Sequence, residues 1–180
     1  MRIRTTLAAT VLVAVLMSFP AAAQTPNAPD PWAPLRFLLG SWSAASGSGQ
    51  PGEAVAGSVS FALELGGGVL VRRNRTEYAP KPGAKEGAVH EDLLVIYREP
   101  GEDGFRALYW DNEGHVIHYR VSIPSRPNVV MFESEGPDKG PRFRLVHELA
   151  SDGQLATEFA IAPPGGDFKT YVKGTVRRKP

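Results

Sequence analysis

From Ser41 to the C-terminus, short runs with apolar residues at every second position alternate with clusters of Gly, Pro, Asn and Asp, and that rhythm leaves few folds open. The runs predict strands over Ser41–Ser48, Ala54–Leu65, Val69–Tyr78, His90–Arg98, Phe105–Asp111, His115–Ser122, Asn128–Glu135, Arg142–Leu149, Gln154–Ala162 and Phe168–Arg178. No apolar pattern of period 3.6 in this stretch is long enough for a helix. Links such as Gly66-Gly67-Gly68, Asn112-Glu113-Gly114 and Ser151-Asp152-Gly153 are turn chemistry and too short for a parallel crossover. Consecutive strands are therefore antiparallel neighbours. An up-and-down sheet with this many strands hides its edges best by closing on itself. The fold class is thus all-β, an antiparallel barrel of about ten strands. A barrel that wide has more interior room than short side chains fill, so a ligand cavity is the default functional expectation.

The strands have a preamble of a different kind. Pro31-Trp32-Ala33-Pro34 followed by Leu35, Leu38 and Leu39 suits one or two helical turns, which Gly40 stops, and this short helix is expected to plug one barrel end. Residues Gln24–Asp30, with Pro26 and Pro29, read as a disordered leader. Before them, Arg2 and Arg4, an apolar run from Leu7 to Phe19 and Ala21-Ala22-Ala23 have the order of a bacterial export signal cleaved after Ala23. The run is too short to span a bilayer, and no later segment approaches spanning length. The expected organisation is therefore a signal peptide over 1–23, a leader over 24–30 and one barrel domain over 31–180, located in the periplasm or secreted.

Removal of the signal takes two of the 20 basic residues and leaves 18 against 19 acidic ones. A chain so close to neutral has no general electrostatic attraction to nucleic acid or anionic lipid. It also has no cysteine, which excludes disulfides, thiolate metal sites, a cysteine nucleophile and a lipidated cysteine at the cleavage point.

The sharpest local geometry is the hairpin Tyr109-Trp110-Asp111-Asn112-Glu113-Gly114-His115. A three-residue loop ending in Gly suits a type I turn followed by a left-handed glycine, and that loop sets the register. Asp111 is then opposite His115, Tyr109 opposite Ile117, Ala107 opposite Tyr119 and Phe105 opposite Val121, all on one face. The other face carries Trp110, Leu108 with His118, and Arg106 opposite Arg120, so it belongs to solvent. Asp111 and His115 are expected inward at a barrel mouth, where they could anchor a polar headgroup, move a proton, or simply stabilise the turn.

Val69–Tyr78 poses a second problem, because alternation sends at least one of Arg72 and Arg73 inward. An arginine inside a barrel demands an anion. Val69 and Val71 share the face of Arg73 and Arg75, which favours those two as the inward pair. Leu70 and Tyr78 argue for Arg72 instead. Glu77, Glu91, Asp92 and Asp111 are candidate partners, and an anionic ligand headgroup is the functional alternative.

His90 and Asp92 point one way and Glu91 the other, while His115 and His118 face opposite sides, so neither group is a local chelate. No metal is expected. His147 shares its face with Phe143, Leu145 and Leu149 and is expected inward, as a core histidine or a ligand contact. Asn74-Arg75-Thr76 matches a glycosylation sequon but falls mid-strand and reads as chance. No Gly-x-Ser-x-Gly elbow, phosphate loop or dinucleotide fingerprint is present.

Leu35-Arg36-Phe37-Leu38-Leu39-Gly40-Ser41-Trp42, a short helix running into Gly-x-Trp at the first strand, resembles the entrance motif of lipocalin-like (calycin) barrels. Trp32 to Lys179 is similar to a group of secreted bacterial calycin-like domains, and more distantly to nitrobindin-type haem barrels and fatty-acid-binding proteins. That resemblance implies a carrier of a hydrophobic ligand or haem, with Trp42 plugging the barrel floor. The last strand holds no histidine for haem, and His147 is the remaining candidate axial ligand.

Two readings follow. In one, the barrel binds a small hydrophobic or amphipathic, and on the arginine argument anionic, molecule. Tyr109, Tyr119, Phe159 and Val172 form its apolar wall, and Arg73, Arg75, Asp111, His115 and His147 its polar anchors. In the other, it is an isomerase- or cyclase-type enzyme with Asp111 and His115 as acid/base pair.

Overall fold

The computed structural model describes residues 29–44, 54–136 and 140–180. The expected signal over 1–23 and residues 24–28 of the expected leader lie outside them, as do the second half of the first expected strand and the link 137–139.

The unit Pro31–Pro180 is a closed barrel of ten antiparallel strands. They are β1 (Gly40–Ser43), β2 (Ala54–Glu64), β3 (Val69–Tyr78), β4 (Val89–Tyr97), β5 (Phe105–Asp111), β6 (Val116–Ser122), β7 (Val129–Ser134), β8 (Arg142–Leu149), β9 (Gln154–Ala162) and β10 (Lys169–Arg178). Each strand from β2 onward pairs with its predecessor in sequence, and β1 closes the ring against β10. The order is the up-and-down one the short links impose. Boundaries match the sequence expectation to within a residue or so for β2 to β10; β1 is described over Gly40–Ser43, and residues 45–48 of the expected first strand lie outside the described residues.

Side chains alternate across the wall. The inner face carries Val59 and Phe61 of β2, Leu70 of β3, Leu94 and Ile96 of β4, Tyr119 of β6, Phe132 of β7 and Leu145 of β8, all buried in one continuous core. Taking such side chains out of water contributes roughly 1.5–3 kcal/mol each, which lets a cysteine-free chain fold without staples. The β5–β6 register is the expected one, with Tyr109 beside Ile117, Ala107 beside Tyr119 and Phe105 beside Val121. Arg106 and Arg120 do oppose each other outside. Glu135 bonds both guanidiniums, and Glu102 bonds Arg106, so carboxylates as well as solvent relieve their repulsion.

The preamble forms a 3-10 helix, Ala33–Leu38, with Leu35 and Leu38 fully buried in the barrel core. Trp42 is also fully buried, and its indole N–H donates to the Leu38 carbonyl at 2.8 Å. Trp32 lies against Phe105, with ring centroids 5.2 Å apart, and donates to the Gly67 carbonyl at 2.7 Å. Helix and tryptophans thus floor one barrel end. Arg178 completes that floor, its guanidinium 4.2 Å from the Trp42 ring centroid and bonded to the Leu39 and Phe37 carbonyls.

Candidate functional site: the open barrel mouth

The end opposite the floor is edged by the β3–β4, β5–β6, β7–β8 and β9–β10 links, and its rim has two chemically distinct halves. The β3–β6 side is polar. Arg72 of β3 is buried and bonds the Asp92 carboxylate of β4. Asn74 donates to the same carboxylate at 2.8 Å. His90, one inward step nearer the rim, lies 3.3 Å from Asp92 through Nε2 and 3.1 Å from Glu113 through Nδ1. The Tyr109 hydroxyl is 3.3 Å from His90 Nε2 and donates to Asp111 Oδ2 at 3.1 Å. His115 Nδ1 lies 2.8 Å from that same Asp111 oxygen. A continuous polar chain therefore runs from Arg72 in the core to His115, whose side chain is 59 % exposed.

Electrostatics follow from these contacts. The hydrogen bond to Asp92, helped by Glu113, outweighs burial and raises His90 to about 9, so it is charged at neutral pH. Burial pushes the Asp111 carboxyl up, but backbone N–H groups of His115 and Glu113, the His115 ring and the Tyr109 hydroxyl together hold it below its ordinary range. Burial, with the negative charges of Asp92 and Asp111, keeps Tyr109 protonated far above neutrality.

The β8–β10 side of the same rim is aromatic. Phe143 and Phe159 stack at 6.0 Å, and Tyr171 meets Phe159 edge-on at 6.4 Å. Val172, opposite Phe159 in the ladder, is 44 % exposed although its neighbour faces the interior. Two steps on, Gly174 pairs with Thr157, and a Cβ built there meets no atom within 4 Å. Among the described residues, nothing fills the inner side of β10 at Gly174.

The sequence-predicted residues thus separate. Asp111 and His115 come together as expected, and Tyr109 joins them. Tyr119 is buried in the core, 6.5 Å from the Tyr109 ring, while Phe159 lines the aromatic half. Arg73 and Arg75 are corrected: both point outward, bonded to Glu64 at 2.5 Å and to Glu91 at 2.7 Å. The reason is register. Phe61 and Leu63 of β2 face inward and pair with Arg72 and Leu70, so Arg72 takes the inner position. The period of β2, carried across its hairpin, was the signal that could have assigned this. Asp92 supplies the anion, which removes the arginine argument for an anionic ligand. His90 is the residue the sequence reasoning set aside; its shared face with Asp92, seen as a failed chelate, is what places it in the polar chain.

His147 faces inward, 1 % exposed, with Nδ1 2.9 Å from the Thr157 hydroxyl. Phe61 and Phe132 approach its ring edge-on at 5.4 and 6.0 Å. A porphyrin would have to displace both rings, so this packing does not fit haem ligation. Among the described residues no group of three or more acidic or histidine side chains is arranged to hold a metal ion. None of the described helices is long and apolar enough to cross a membrane. One concavity of about 320 Å³ lies outside the wall, over Val129, Met131, Val146 and Ala160.

The closed ten-strand antiparallel barrel is consistent with a calycin-like fold. Neither known protein families nor curated proteins match the sequence.

Proposed function

We propose that this is an exported calycin-like barrel that binds a small amphipathic molecule at its open mouth. The observation that carries this is the division of one rim into an aromatic half, Phe143, Phe159 and Tyr171, and a hydrogen-bonding half, His90, Tyr109, Asp111 and His115. An apolar body lies on the first while a polar head bonds the second. Pockets of this composition, mostly apolar with a few convergent polar groups, are where small ligands bind. The test is native mass spectrometry of protein recovered from the periplasm, paired with titration of an anilinonaphthalene dye. Retained small molecules or saturable dye binding, weakened at least tenfold in Phe159→Ala, are expected. Protein that carries no guest and ignores the dye contradicts the reading. Export has its own measurement, an intact mass that begins at Gln24.

A second reading has one observation in its favour. Asp111 holds His115 Nδ1 and leaves Nε2 on an exposed ring, the arrangement of a carboxylate-oriented general base. If the barrel turns over a bound molecule, His115→Ala removes turnover and leaves binding largely intact; loss of binding alone assigns His115 to the carrier.

A further inference from the structure

Among the described residues, two buried side-chain polar atoms have no hydrogen-bond partner, Nε of Arg72 and Nε2 of His147. Leaving such a group unsatisfied costs on the order of 1–3 kcal/mol each, more where charge is involved. Both residues face the interior, and Phe61 stands beside both, as the cross-strand partner of Arg72 and as an edge-on neighbour of the His147 ring at 5.4 Å. Arg72 is close enough that its charge adds to burial in holding His147 well below the ordinary histidine range, so the imidazole is neutral. Thr157, whose hydroxyl meets His147 Nδ1, pairs with Gly174, where the open space along β10 begins.

We propose that Arg72 Nε and His147 Nε2 form a deep subsite for one uncharged oxygen, the carbonyl or hydroxyl of the amphipathic ligand or a water in its place. This rests on the mouth-binding reading for the ligand and on the orphaned nitrogens for the subsite. Charge excludes an anion. Arg72 is already neutralised by Asp92, and charged His90 faces Asp92 and Glu113, so a carboxylate here would be buried without compensation. Chemistry favours oxygen. The Arg72 N–H donates, and His147 Nε2 donates or accepts according to which partner the Thr157 hydroxyl gives its proton. Both nitrogens are sealed from solvent, so the oxygen enters past Gly174 with a shift of the Thr157 and His147 side chains.

The probes are 2-decanone, 1-decanol and decanoate, titrated by calorimetry against wild type, Gly174→Leu and His147→Phe, alongside a high-resolution crystal structure of the protein without added probe. The ketone or alcohol is expected to bind at least tenfold more tightly than decanoate. Gly174→Leu, which fills the entry without removing a polar group, and His147→Phe should each weaken the uncharged probes at least tenfold while the circular dichroism of the barrel is retained. The crystal should show an ordered oxygen within hydrogen-bond distance of both nitrogens. Decanoate binding as tightly as the uncharged probes overturns the proposal, and so does a crystal with no atom between the two nitrogens. Probe affinity that falls in Gly174→Leu but not in His147→Phe overturns the subsite and keeps the mouth. An ordered oxygen with no probe binding assigns the subsite to water and contradicts the mouth reading instead.

Discussion

Arg72 shows how one side chain is decided by its neighbours. An arginine whose side chain is 8 % exposed survives only because Asp92, 3 % exposed, is its diagonal neighbour on the adjacent strand, with Asn74 and His90 bonding the same carboxylate. Removing the cation strands a buried anion, so Arg72→Met should cost roughly 3–5 kcal/mol in urea unfolding, and Arg72→Met/Asp92→Leu should recover part of it. A cost below about 1 kcal/mol for the single variant would mean that Asn74 and His90 alone satisfy Asp92. His90 titrates in a predictable direction. Its folded value, about 9, lies above the unfolded value near 6.5, so its contribution is fully present below pH 6.5 and is lost as pH rises through 9. Wild type should therefore lose stability between those limits, and His90→Gln should be flat there; parallel curves would place the charge elsewhere. The demand for an inward arginine was legible in alternation alone. Which arginine was not, because Val69–Tyr78 carries apolar residues on both faces and only the pairing with β2 separates them.

At the scale of elements, the sequence was most legible where a turn type set the register. In the β5–β6 hairpin the loop ends on Gly114 at φ +91°, and Asp111 caps the turn by accepting the Glu113 and His115 amides at 3.0 and 2.9 Å. That single glycine fixes which residues of two strands face inward, and so brings Asp111 and His115 together. Space is not the reason a side chain is unwelcome there, since a Cβ would touch nothing within 4 Å; the backbone conformation is. Gly114→Ala should cost roughly 1–2 kcal/mol in thermal unfolding. Gly174, equally uncrowded but mid-strand and outside the left-handed region, should tolerate Ala within about 0.5 kcal/mol. Equal losses at both would show that cavity shape rather than backbone conformation governs these positions. Long-range pairing was less legible. Nothing within β4 says that His90 meets Tyr109, because that contact needs the β4–β5 register, and the link between those strands, Arg98 to Gly104, has no single enforced geometry.

For the whole molecule the decisive feature is where the ring closes. Among the described residues β1 contributes four and meets β10 through Trp42 with Arg178 and Ser43 with Arg177, whereas β9 and β10 share eight register pairs. The seam is held instead at the floor, where Arg178 covers Trp42 and bonds the carbonyls of Leu39 and Phe37, and the Lys179 amide donates to Ser41 at 2.8 Å. Among the described residues the β1–β10 pairs lie next to the floor, and the flank that carries the exposed Val172 and Tyr171 is expected to open first. Closure and ligand access therefore depend on the same strand. Native-state hydrogen exchange should find the β1 amides and the β1-facing amides of β10 the least protected strand positions, with β3 to β6 the most protected. Arg178→Ala should destabilise the fold by about 1–2 kcal/mol and speed exchange along the β1–β10 seam more than anywhere else. Uniform protection around the ring would mean that the seam is as firm as the rest of the wall, and ligand entry would then have to come through the rim links rather than along β10.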